Sequence, residues 1–159
     1  MTSITQADKT VGVQSVRGSG GEMETVVMPT VGAVIAEHGR RRSCAPGEVL
    51  FLEGDHSHYV YACDEGRIRI FLTMKSGREL LLGIKRPGEE FGEISAFDGR
   101  PRSASAVALE ASSVFELPGE DFAGLLTESP ELAAAVLHNM SAQLRRANDR
   151  LVARNSNSA

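Results

Sequence analysis

Residues 66–84 read GRIRIFLTMKSGRELLLGI. Ile68, Ile70 and Leu72 alternate with Arg67, Arg69 and Phe71, MKSG supplies a turn, and a second apolar run follows. A period of two on either side of a glycine-bearing turn predicts a β-hairpin, with Phe71 on the same face as the two arginines. The same texture runs outward in both directions. From Arg40 to Pro118, short apolar or alternating runs are cut by glycine: VLFLEG, YVYACDEG, ELLLGIKRPG, SASAVAL and SSVFEL. Many short strands at regular spacing predict a mainly β fold with a few helices, a double-stranded β-helix (jelly-roll) barrel or sandwich.

Helices are expected at both ends of this region. TVGAVIAEHG (30–39) predicts a short one, capped by Thr30, with Val31, Val34 and Ile35 on one face and Gly39 at its end. After Pro118 the strands stop. GEDFAGLLTE predicts a second short helix, and Ser129-Pro130 opens a long one, with serine as N-cap and proline at the first helical position, running to about Arg154. On that helix Leu137, Met140, Leu144, Ala147 and Leu151 fall at a/d spacing. The seam either packs on the helix's own barrel or pairs with a second copy. Because the helix outruns the β region it could cover, a homodimer through it is the expectation. Residues 1–28, with RGSGGE and no sustained period, read as a flexible arm. The expected organisation is therefore an arm (1–28) and one domain (29–159), with the barrel at about 40–118 and the C-terminal helices at about 119–154.

The 159 residues suit one domain with its own core. Net charge is −4, so bulk electrostatics would not hold a polyanion, and any anion must be held by a local pocket. Aromatic residues make up only 5% and tryptophan is absent, which argues against an aromatic nucleic-acid platform. No run approaches the ~18 apolar residues of a membrane span, and the N-terminus lacks a secretory pattern. Two cysteines, Cys44 and Cys63, are too few for a disulfide framework. A cytoplasmic location is expected, with no membrane partner.

Residues 91–106, FGEISAFDGRPRSASA, carry the chemistry. Gly92 allows close approach to the backbone, and GEISAF can form one helical turn behind it. Arg102 and Ser103 add a guanidinium fork and a hydroxyl, a match for phosphate oxygens. Glu93 would repel a phosphate, but it suits a sugar hydroxyl, which needs an acceptor. Donors for a phosphate beside an acceptor for a sugar fit a nucleotide.

The stretch resembles the phosphate-binding cassette of the cyclic nucleotide-binding domain family, found in catabolite-activator-type regulators, kinase regulatory subunits and gated channels. The resemblance rests on Phe91-Gly92-Glu93-Ile94-Ser95 and Pro101-Arg102-Ser103-Ala104, with APGEVLFLEGD and EGRIRI upstream, and covers roughly residues 40–153. It implies a cyclic mononucleotide ligand, cAMP or cGMP, and a short helix within the cassette. By that resemblance Glu93 accepts the ribose 2′-hydroxyl. Arg102 pairs with the cyclic phosphate, helped by Ser103 and by the backbone N–H groups of Ser95 and Ala104. Leu81 or Leu82 lines the base. Ala147 and Asn148 occupy positions where bacterial activators place two adjacent polar residues; only Asn148 keeps that character, which leaves base preference open. The alternative is a ligand-free scaffold of the same fold, in which Arg102 pairs with Glu93 or Asp98.

His56-x-His58 is similar to the metal motif of cupins, but Ala62 and Cys63 stand where a glutamate is wanted, so no metal is expected. No nucleophile elbow is present, and no enzymatic activity is expected. In bacterial activators of this kind a helix-turn-helix follows the long helix. Here only about five residues follow Arg154, so the expectation is a ligand module without direct DNA binding, signalling through the long helix or a protein partner.

Overall fold

The computed structural model describes residues 11–17 and 19–156. Along the chain run β1 (Val11–Arg17), β2 (Met23–Pro29), α1 (Val31–His38), β3 (Arg40–Cys44), β4 (Val49–Phe51), β5 (Tyr59–Glu65), β6 (Ile68–Thr73) and β7 (Glu79–Lys85). They are followed by β8 (Glu90–Phe91), α2 (Glu93–Asp98), β9 (Ser105–Ala108), β10 (Ser112–Pro118), α3 (Gly119–Glu128) and α4 (Pro130–Ser156). Two four-stranded antiparallel sheets, β3-β10-β5-β8 and β4-β9-β6-β7, face each other as the two halves of a jelly roll.

β5 explains how one sheet supports two cores. Side chains alternate across a strand, so Val60 and Ala62 point one way and Tyr61 and Cys63 the other. The first pair joins Val31, Ile35, Leu117, Phe122, Leu132, Ala135 and Val136 in a core between sheet and helices. The second joins Cys44, Phe51, Ile68, Phe91, Ala106, Ala108 and Val114 inside the barrel. Burial pushes both thiols up, Cys44 and Cys63 each to about 11, so they serve as apolar packing groups.

The caps follow the sequence. Thr30 Oγ1 accepts from Ala33 N–H at 3.2 Å, and Ser129 Oγ accepts from Leu132 N–H at 3.2 Å. Gly32 lets α1 dock, because a Cβ there would lie 2.0 Å from the carbonyl oxygen of Gly88.

Three expectations change. The β6–β7 hairpin forms, but its register shifts between Ile70 and Phe71. The bulge inverts the alternation, so Phe71 is buried rather than sharing the outer face with the arginines. Within the expected arm, β1 and β2 pair as an antiparallel ribbon from Val11↔Pro29 to Arg17↔Met23. Residues 19–21 form the turn between the two valine-bearing strands, with Gly21 at φ +82°. The remainder of that stretch, residues 1–10 and 18, lies outside the described residues. The expected α4 seam also divides. Met140 packs on the helix–sheet core, and Ala147 lines the cavity described below. Leu137, Leu144 and Leu151 remain as an exposed heptad stripe, each at least 60% accessible.

Candidate functional site

Gly92 ends β8 in the left-handed region at φ +79° and turns the chain into α2. Glycine is required there twice over. An L residue at that φ is strained, and a Cβ would sit 2.9 Å from Arg102 Nη1. The close approach foreseen for a ligand is thus also a close approach of the arginine itself.

Arg102 precedes β9 and is only 3% exposed. Its fork is fully specified by neutral oxygens. Nη1 donates to Gly92 O at 2.7 Å and Ser95 Oγ at 2.8 Å; Nη2 donates to Ser57 Oγ at 2.7 Å and Tyr59 O at 2.6 Å. The Phe51 ring lies beneath the guanidinium carbon at 4.0 Å. Nε is a buried donor with no partner among the described residues. No carboxylate among them forms an ion pair with Arg102, so the Arg102–Glu93 and Arg102–Asp98 pairs do not form. Burial lowers its pKa, but a guanidinium keeps its proton. The result is a buried, oriented positive charge with no carboxylate in ion-pair contact among the described residues, although Glu93 and Asp55 lie near enough to favour its charged form.

Glu93 opens α2 and is 5% exposed. Burial raises its pKa; its own backbone N–H, Lys85 and the nearby Gln143 amide oppose that shift, while Glu90 adds to it.

Both groups line one cavity of about 540 Å³, within the usual range for a small-ligand site. Phe51, Ile70, Leu82 and Ile84 give it an apolar wall; Gly92, Glu93, Ile94, Ser95, Arg102, Ser103 and Ala104 give it a polar one; Gln143, Arg146, Ala147 and Arg150 of α4 form a third side. Every cassette residue singled out from the sequence is therefore brought together. Leu82 lines the cavity, whereas Leu81 is half exposed and does not. Asn148 is not among the cavity-lining residues. The helix face toward the cavity follows 143, 146/147 and 150, the spacing of one helical stripe, and Asn148 lies about 100° off it.

Several participants escape sequence reasoning. Ser57 and the Tyr59 carbonyl, 45 and 43 residues from Arg102, carry no local signal of their role. Arg146 and Arg150 read as a solvated face; Arg150 Nη1 instead reaches across to donate to Leu82 O at 2.5 Å. No group of three His, Cys, Asp or Glu among the described residues is placed to hold a metal ion. No helix among them is long and apolar enough to cross a membrane.

A jelly roll whose one cavity is walled by a buried guanidinium and a buried carboxylate has the layout of a small-ligand β domain. The family model described as "Cyclic nucleotide-binding domain" matches residues 41–129, and the chain belongs to that family. The chain is 38% identical over 107 residues to the "Cyclic AMP receptor protein" of Thermus thermophilus, covering 67% of this chain and 48% of the relative. It is 36% identical to "Transcriptional activator protein Anr" of Pseudomonas protegens, covering 67% and 43%. Among solved structures, the Thermus thermophilus catabolite activator protein superposes with a TM-score of 0.69 at 33% identity, covering 77% of this chain and 57% of that one. The chain spans about half the length of the curated relatives it matches.

Proposed function

We propose that this chain is a non-catalytic regulatory module that binds a cyclic mononucleotide, cAMP or cGMP. The observation that carries the reading is Arg102, a buried cation held by neutral oxygens on the wall of a nucleotide-sized cavity that also holds Glu93. The cyclic phosphate takes Arg102, with the Ser95 and Ala104 backbone and the Ser103 hydroxyl as further donors. The ribose 2′-hydroxyl donates to Glu93. The base lies against Leu82. The relatives named for cyclic AMP and for transcriptional activation support both the ligand class and a signalling role.

The signal follows from the third side of the cavity. A ligand shifts an equilibrium only by binding one conformation better. Here it touches the cassette and α4 together, so it favours the state in which α4 docks as a lid. That movement repositions the Leu137–Leu144–Leu151 stripe, the seam of a parallel homodimer or a surface for a protein partner. Titration calorimetry with cAMP and cGMP, monitored alongside oligomeric state, tests this. Saturable binding is the expected result. Absence of both heat and thermal shift at millimolar ligand would leave a ligand-free scaffold of the same fold.

A further inference from the structure

A guanidinium carries five N–H donors. Four of those on Arg102 are committed, Nη1 to Gly92 O and Ser95 Oγ and Nη2 to Ser57 Oγ and Tyr59 O. The fifth, on Nε, is buried without a partner among the described residues. No donor is therefore open to a phosphate, although Arg102 lines the cavity. The two Nη1 acceptors belong to the cassette and line the cavity themselves, whereas Ser57 and Tyr59 do not. Nη2 is thus held from outside the cavity, by the connection between β4 and β5. The same connection holds the Arg102 backbone: Arg102 N–H donates to Asp55 O and Arg102 O accepts from Gly54 N–H, both at 2.8 Å.

For a phosphate to accept from this fork, Arg102 must give up at least one contact. The four differ in what release costs. Gly92 O and Tyr59 O are backbone carbonyls, fixed by the entry to α2 and the start of β5, and each would lose its donor. Ser95 is buried at 4% exposure. Ser57 is only half-buried, so water can replace the guanidinium at its hydroxyl. We propose that Ser57 is a latch on Arg102. Its hydroxyl holds the guanidinium back in the free protein and releases it when the phosphate binds. Nη1 stays on Gly92, so the guanidinium pivots on the cassette instead of leaving it. This rests on the cyclic-nucleotide reading above and deepens it, because a contact made only in the free state lowers the observed affinity.

The test is calorimetric and stopped-flow titration of the full chain and of Ser57→Ala with cAMP and cGMP. Ser57→Ala should bind roughly three- to tenfold tighter than the parent, the size of one net hydrogen bond, with whichever nucleotide the parent takes. The gain should appear in the association rate and leave dissociation unchanged, because the bound state no longer uses the hydroxyl. Ser57→Gly, which also lacks the hydroxyl, should show the same gain, and Ser57→Thr, which keeps it, should return to parental affinity. A merely structural role would lower the melting temperature without tightening binding. Weaker binding in Ser57→Ala overturns the proposal, since the hydroxyl would then hold Arg102 in its binding pose; unchanged affinity overturns it as well. In both cases the parent still binds and the cyclic-nucleotide reading stands. Failure of the parent to bind either nucleotide removes that reading, and the latch with it.

Discussion

Arg102 Nη1 lies 2.7 Å from the carbonyl oxygen of Gly92, the residue immediately before Glu93. The cation is thus anchored to the same turn that launches the carboxylate, and neither can shift without the other's backbone. This linkage holds the guanidinium and the carboxylate at a set separation, which would limit the ordering cost of the binding proposed above.

Arg102→Ala should weaken cyclic-nucleotide binding at least about a hundredfold, since each hydrogen bond to a charged group contributes roughly 1.5–3 kcal/mol. Arg102→Lys keeps the charge but loses the fork that reaches Gly92, Ser95, Ser57 and Tyr59 together, so it should recover little of the loss. Calorimetry on both variants decides the point; parent-like affinity in either would refute the role.

Glu93→Gln should separate stability from function. Because burial raises the Glu93 pKa, the folded state holds its proton more tightly than the unfolded chain. The fold is therefore favoured below the ordinary carboxylate value, and that contribution is lost as pH rises through the raised folded value. At neutral pH burial of this carboxyl therefore costs stability. The variant, neutral throughout, should melt a few degrees higher than the parent at pH 7 and show no such gain at pH 4. Its affinity should fall on the order of ten- to a hundredfold, with poorer rejection of a 2′-deoxy analogue. A lower melting temperature at pH 7 would contradict this account.

Gly92→Ala places a methyl 2.9 Å from Arg102 Nη1 at φ +79°. The left-handed conformation alone costs about 1–2 kcal/mol, and the arginine must also leave its seat. Thermal denaturation should show a loss of that size, and binding should weaken alongside it. Unchanged affinity would mean that the ligand does not depend on this placement of the guanidinium.

Leu144→Glu tests the exposed stripe. Leu144 is 65% accessible, so the barrel should fold normally by circular dichroism. A charge in an apolar seam opposes pairing. Sedimentation should report a monomer where the parent dimerises, and an unchanged oligomeric state would remove α4 as the seam.

Much of this molecule is legible one short window at a time. The glycine-punctuated runs specify the barrel strands, Thr30 and Ser129 announce helix starts, and the Gly92-Glu93 and Arg102-Ser103 pairs mark residues that line one cavity. Those features are determined by the sequence itself because turn conformations, caps and two-residue periodicity depend on a few adjacent residues. Tertiary structure decides what each group meets. The Ser57 hydroxyl and the Tyr59 carbonyl seat Arg102 only because β5 passes beside the cassette. Phe71 is buried only because its strand slips by one residue against β7. Arg146 and Arg150, a solvated face in one dimension, line the cavity because α4 packs at a particular rotation, and that rotation places Ala147 inward and Asn148 outward. Rotation and register are settled by packing between elements far apart in the chain, and no local pattern encodes them.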